Sequence, residues 1–85
     1  MTEKKIGKVT HFFGKISVAI IEITDEPLSV GETIHIKGQT SDITQKVDSM
    51  QVEHQIIQKA EKGQSFGVKV SAHVHEHDIV YKVIE

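Results

Sequence analysis

The chain has 85 residues, 38% hydrophobic and 26% charged, with a single proline, no cysteine and a formal charge of -2. This length supports one hydrophobic core and excludes two, and the absence of cysteine removes disulfides and thiolate zinc sites as a source of stability. All ten basic residues are lysine, so the arginine forks with which proteins read base edges are missing and sequence-specific DNA recognition is not expected.

In chain order, Ile6–Phe13 and Ile16–Ile23 form two β-type runs separated by a turn at Gly14 and Lys15. The second is rich in Ile and Val, whose branching at Cβ suits a pleated surface. Its apolar residues fall on both parities, which calls for two covered faces or a bulge near Ile20 and Ile21. Thr24–Gly31 reads as an irregular connection containing Pro27, and Thr33–Lys37 as a strand with Ile34 and Ile36 inward. After a turn at Gly38–Ser41, the inward parity changes between Ile43 and Val47 on one side and Met50 and Val52 on the other, so a corner is expected near Asp48 and Ser49.

Gln55–Lys62 carries Ile56, Ile57 and Ala60 at helical spacing with Gly63 beyond, which predicts a short helical turn closed by glycine. Phe66, Val68 and Val70 alternate with polar or small residues, and Ile79–Ile84 is the final strand. These elements predict an all-β domain over residues 1–85, with its core at 6–84. The expected architecture is a single closed or nearly closed, Greek-key-like β-barrel of six to seven strands with one helical turn. No run approaches 18 apolar residues and no signal-type segment follows the lysines of Met1–Lys8, so no membrane span is expected and the chain reads as cytoplasmic.

A resemblance is carried by Ile6-Gly7-Lys8-Val9, by Leu28-Ser29-Val30-Gly31-Glu32-Thr33, by Val47-Asp48-Ser49-Met50-Gln51, by Ala60-Glu61-Lys62-Gly63-Gln64 and by Asp78-Ile79-Val80-Tyr81. In this order the chain resembles the β-barrel second domain of translational GTPases such as elongation factor Tu. It looks closer still to small translation elongation factor-like proteins. The resemblance implies a translation role with contact to RNA or the ribosome. Similar barrels also occur as appendages of collagenase-like peptidases. In the translation-factor barrels a glycine commonly precedes the acidic residue before the last strand, whereas His77 stands there in this chain. No Gly-rich phosphate loop is present, so the chain is not expected to bind GTP, and no other cofactor is implied.

Candidate contact residues for RNA or a partner are Lys5, Lys8, Phe12, Phe13 and Lys15, since lysines meet phosphates while exposed rings stack on bases. Gly31 and Gly63 are candidate structural turns. His73, His75 and His77 would share a face if extended and would then suit a divalent metal, although the same stretch also reads as a polar loop, the preferred assignment being no metal site. No serine sits in a nucleophile elbow, and the other histidines are scattered, so no catalytic residue is assigned and the chain is expected not to be an enzyme. The leading expectation is a non-catalytic RNA- or ribosome-binding module. The alternative is a protein-interaction or accessory module without RNA contact.

Overall fold

The computed structural model describes residues 2–84. Among these residues ten strands form: β1 (Thr2–Phe13), β2 (Val18–Ile23), β3 (Leu28–Ser29), β4 (Thr33–Lys37), β5 (Asp42–Lys46), β6 (Met50–Val52), β7 (Gln55–Ile57), β8 (Lys59–Ala60), β9 (Ser65–Lys69) and β10 (Ile79–Ile84). Eight of them make one antiparallel sheet in the order β5-β4-β10-β1-β2-β9-β6-β7, and β3 pairs with β8 in a second, two-stranded sheet.

Burial follows the alternation of side chains along each strand. Ala19, Ile21 and Ile23 of β2, Ile34 and Ile36 of β4, Phe66 and Val68 of β9 and Val80 of β10 all point into one core with Ile6, Val9, Leu28, Val47 and Met50. Burying an aliphatic or aromatic side chain of this kind contributes about 1.5–3 kcal/mol. Polar groups secure the margins of the core. Lys82, on the same side of β10 as Val80, runs its ammonium to the Pro27 carbonyl (3.1 Å) and to Glu32 (3.6 Å). The other Glu32 oxygen accepts the Ser29 backbone N–H at 2.8 Å.

Several expectations are corrected here. The closed or nearly closed barrel of six to seven strands does not form: β5 and β7 stand at opposite ends of the large sheet, and among the described residues no backbone ladder joins them. The helical turn expected over Gln55–Lys62 is instead β7 and β8. Glu53 (φ 51°) and His54 (φ 67°) both adopt left-handed conformations and form a two-residue hairpin loop that pairs Val52 with Gln55 and Met50 with Ile57. Ile56 consequently faces solvent, whereas Ala60 is buried opposite Leu28, so their helical spacing is not a buried helical face. The phase change sought within β2 lies on its neighbour: Val9 pairs with Ile21 and His11 with Ile20, leaving Thr10 as the extra residue of a bulge in β1. Asp48 and Ser49 connect β5 to β6, after Val47 has been anchored by bonds to Glu32 and Gly31.

Candidate protein-contact site

β1 ends in His11, Phe12 and Phe13, and the turn at Gly14–Ser17 follows. Alternation sends Phe12 inward, where it packs against the core, and leaves Phe13 45% exposed beside His11, with ring centroids 4.5 Å apart. Ile16, in the turn, is 59% exposed.

The segment between β9 and β10 folds across this end. Val74 is buried and anchors it, while His73 meets Phe12 edge-on (4.6 Å between centroids) and His75 lies 4.7 Å from His73. His75 Nδ1 lies 3.2 Å from Ser41 Oγ and 3.3 Å from Thr40 Oγ1. Asp78 is buried, and its Oδ2 accepts the backbone N–H of His75 at 2.9 Å. This end therefore pairs a hydroxyl with an imidazole, but the nearby carboxylate serves the main chain rather than the ring. Two clefts flank His75 and Glu76. One, of about 490 Å³, runs along Lys37–Thr40 and Ile79; the other, of about 310 Å³, runs along His11, Phe12 and His73.

Sequence reasoning singled out Phe12, Phe13, His73 and His75, and the structure brings these four to one end. His77 is set apart from them in conformation: its φ of 74° places it in the left-handed region, in the position where the translation-factor barrels carry glycine. The segment His73–His77 is irregular rather than extended, and among the described residues no group of three His, Asp or Glu side chains is placed to hold a metal. Gly31 (φ 97°) and Gly63 (φ 92°) lie in tight connections, the latter donating its N–H to the Ile23 carbonyl.

Lys5 and Lys8 stand apart from the exposed Phe13 ring. Lys5 pairs with Tyr81 and Lys8 with Ile79, so they are strung back along β1, and Lys5 lies roughly 27 Å of extended strand from Phe13. Lys15 is exposed in the turn. A pair of carboxylates was missed altogether: His35 Nδ1 bonds Glu3 at 2.8 Å and Nε2 bonds Asp42 at 2.5 Å, across three different strands. The hydrogen bond to Asp42 raises the His35 pKa above 6.5, burial opposes this, and Glu3 adds to the rise.

The fold matches that of solved domains from another protein. The chain superposes with a TM-score of 0.86 on the C-terminal domain of a Geobacillus thermoleovorans protein described as a U32 peptidase, at 16% identity, covering 93% of this chain and 91% of that one. The selenomethionine variant of that domain gives 0.84 at 15% identity, covering 91% and 96%. Among curated proteins, the chain is 42% identical over 82 residues to an uncharacterized protease of Methanocaldococcus jannaschii, covering 95% of the chain and 20% of the protease. It is 36% identical over 78 residues to a collagenase of Porphyromonas gingivalis, covering 91% of the chain and 22% of the collagenase. The chain thus spans about one fifth of the length of the curated relatives it matches. No protein-family model matches it.

These comparisons overturn the translation-factor resemblance, and with it the RNA- or ribosome-binding function and partner. The likeness runs to a peptidase domain and to proteases. The expectation that the chain is not an enzyme is corrected by the same relatives, whose names are those of a protease and a collagenase.

Proposed function

We infer that this chain is a β-domain of the U32 peptidase type and serves proteolysis by contacting polypeptide substrate. Its contact surface is the end built from Phe13, Ile16, His11 and His73. The observation that carries the reading is the exposure of Phe13 and Ile16 beside an imidazole-lined cleft, in a chain 42% identical to a segment of a protease. Phe13 and Ile16 offer apolar surface and the imidazoles of His11 and His73 add polar nitrogens, a combination that suits polypeptide, which offers both apolar side chains and amide groups. The collagenase relative makes an unfolded, collagen-derived chain a suitable first probe.

Binding of the purified chain to immobilised gelatin, measured by biolayer interferometry at physiological salt with tRNA as comparison, tests the reading. Saturable binding to gelatin is expected, weakened at least tenfold by the double substitution Phe13→Ser, Ile16→Ser. Absence of binding to gelatin and to unfolded casein up to about 1 mM, the weak limit of specific recognition, would remove it. Binding to tRNA in preference to either would remove it as well.

A further inference from the structure

Where the large sheet fails to close, one side chain stands in for a strand. β9 is hydrogen-bonded to β2 on one side, and on the other it meets β6 only through the pairing of Gly67 with Gln51. Just beyond β9, the Val70 N–H turns toward β2 and donates to the Ser17 carbonyl at 2.8 Å. Strand alternation therefore aims the Lys69 carbonyl and the Ser71 N–H the opposite way, toward β5.

Both groups are met by the carboxamide of Gln45, a residue of β5. Its Nε2 donates to the Lys69 carbonyl at 2.8 Å, and its Oε1 accepts from the Ser71 N–H at 2.9 Å. A carbonyl and an N–H flanking one residue are the groups that a parallel neighbour engages with the N–H and C=O of a single residue. The Gln45 carboxamide thus occupies the place of one residue of an added strand. A groove of about 410 Å³ surrounds it, lined also by Asp48, Ser49, Lys69 and Val70. A second cleft shares Ser49 and Lys69 with it and continues over Gly67, beside the Val18 and Ile20 side chains.

We propose that this seam is a binding site for an extended polypeptide segment, which displaces the Gln45 carboxamide and pairs in parallel alongside Val70. The proposal rests on the polypeptide-contact reading but uses a separate surface. Two features select the occupant. The hydrogen-bonding partners already satisfied by Gln45 are those of a peptide backbone, independent of its side chains. Asp48 and Lys69 add one charge of each sign, neither in an ion pair among the described residues, and so favour a segment carrying both a basic and an acidic side chain. The aromatic end lies across the sheet from the seam. Phe13 pairs with Val18 and Val18 with Lys69, so the exposed ring lies two strand spacings, about 10 Å, across the sheet from the groove.

The test is an amide-resolved NMR titration with a peptide of about ten residues, the length of a long strand, alternating threonine with lysine or glutamate. A matched peptide N-methylated at alternate residues, and so unable to donate along one edge, is the control. Shifts concentrated at Lys69–Ser71 and in the Gln45 carboxamide are expected, lost with the N-methylated peptide. Gln45→Ala, which opens the groove and leaves its former partners to water, is expected to tighten binding roughly fivefold, the scale of one competing hydrogen bond. The charge variant Lys69→Glu gives an independent arm, with weaker binding of a glutamate-rich peptide expected. Shifts confined to Phe13, Ile16 and His73 would overturn the seam while leaving the polypeptide reading standing. Absence of shifts at Lys69–Ser71 in both the parent and Gln45→Ala would overturn it too, whatever gelatin does. Equal binding of the N-methylated peptide would exclude strand addition.

Discussion

The carboxylate of Asp78 lies against Gly38, in the space that a Cβ on that glycine would fill. Asp78 is buried and accepts the His75 N–H, while the Gly38 N–H donates to the Ser41 carbonyl at 2.8 Å. The turn after β4 and the turn before β10 are thereby locked together, and with them the Ser41–His75 contact. Gly38→Ala must displace the carboxylate, and Asp78→Ala leaves the His75 N–H without its partner, so each is expected to cost about 1–3 kcal/mol. Because both act on the same contact, the double variant is expected to lose less than the sum. Urea unfolding of the four proteins in the cycle measures this, and strict additivity would show the two turns to be independent.

His35 makes stability depend on pH. Its two ring nitrogens each face a carboxylate, Glu3 on β1 and Asp42 on β5, and the ring also lies 6.1 Å from Tyr81 on β10. Only the imidazolium donates to both carboxylates at once. Since the folded pKa is raised above 6.5, the folded chain holds the proton more tightly than the unfolded chain. The contribution is fully present below about pH 6.5, as long as both carboxylates stay ionised, and is lost as pH rises through the folded value. Asp42 is 70% exposed at its side chain, so screening keeps the effect to about 0.5–1 kcal/mol. His35→Gln is expected to be less stable than the parent at pH 6 and to approach it at pH 9, with a smaller gap in high salt. A gap independent of pH would show that packing, not charge, holds His35.

The alternation of Ile34 with Ile36 and of Phe66 with Val68 was legible because one face of each strand is buried and the other is not. Thr2–Lys5 gave no such signal. All four are exposed, and they extend β1 only because Tyr81–Ile84 of β10 lies beside them, a long-range pairing that local pattern does not encode. The β6–β7 hairpin was hidden for a different reason: Glu53 and His54 occupy left-handed positions where asparagine and glycine are the usual signal. Phe12 and Phe13 were readable as opposite-facing neighbours, but their meeting with His73 depends on the buried Val74 that pins the loop across the sheet end. The Gln45 bridge was invisible because its partners are backbone groups 24 and 26 residues away.

Gly7 offers the most severe single test of the fold. It sits at the register shift between β1 and β10 and also pairs with Ile23 of β2, so backbone closes on it from both sides. A Cβ there would fall on the Glu22 carbonyl oxygen, which belongs to the ladder and cannot rotate away as a side-chain tip would. Gly7→Ala is expected to cost about 3 kcal/mol, the upper end of overpacking. That is a large share of the roughly 4–13 kcal/mol expected for a domain of this length. A melting temperature within a degree or two of the parent would show that β1 shifts freely against β2.

Phe12 and Phe13 should separate stability from recognition. Phe12 packs against the core and meets His73 edge-on, whereas Phe13 is 45% exposed and touches His11. Truncating Phe12 removes partly buried apolar area and the support of the His73 loop, so Phe12→Ala is expected to destabilise by about 1–3 kcal/mol. Phe13→Ala removes a ring that already stands in water, and its cost is expected to stay within about 0.5 kcal/mol. Binding should rank differently. At a temperature where both variants are folded, Phe13→Ala is expected to weaken gelatin binding several-fold, the ordinary consequence of losing an aromatic anchor. Phe12→Ala should weaken it only as far as the His73 loop is displaced, which the His73 imidazole resonances report directly. Circular dichroism melts combined with interferometry on the same samples read both quantities. Unchanged binding by Phe13→Ala, with the Phe12 variant folded and impaired, would move the contact from the exposed ring to the cleft beside His75.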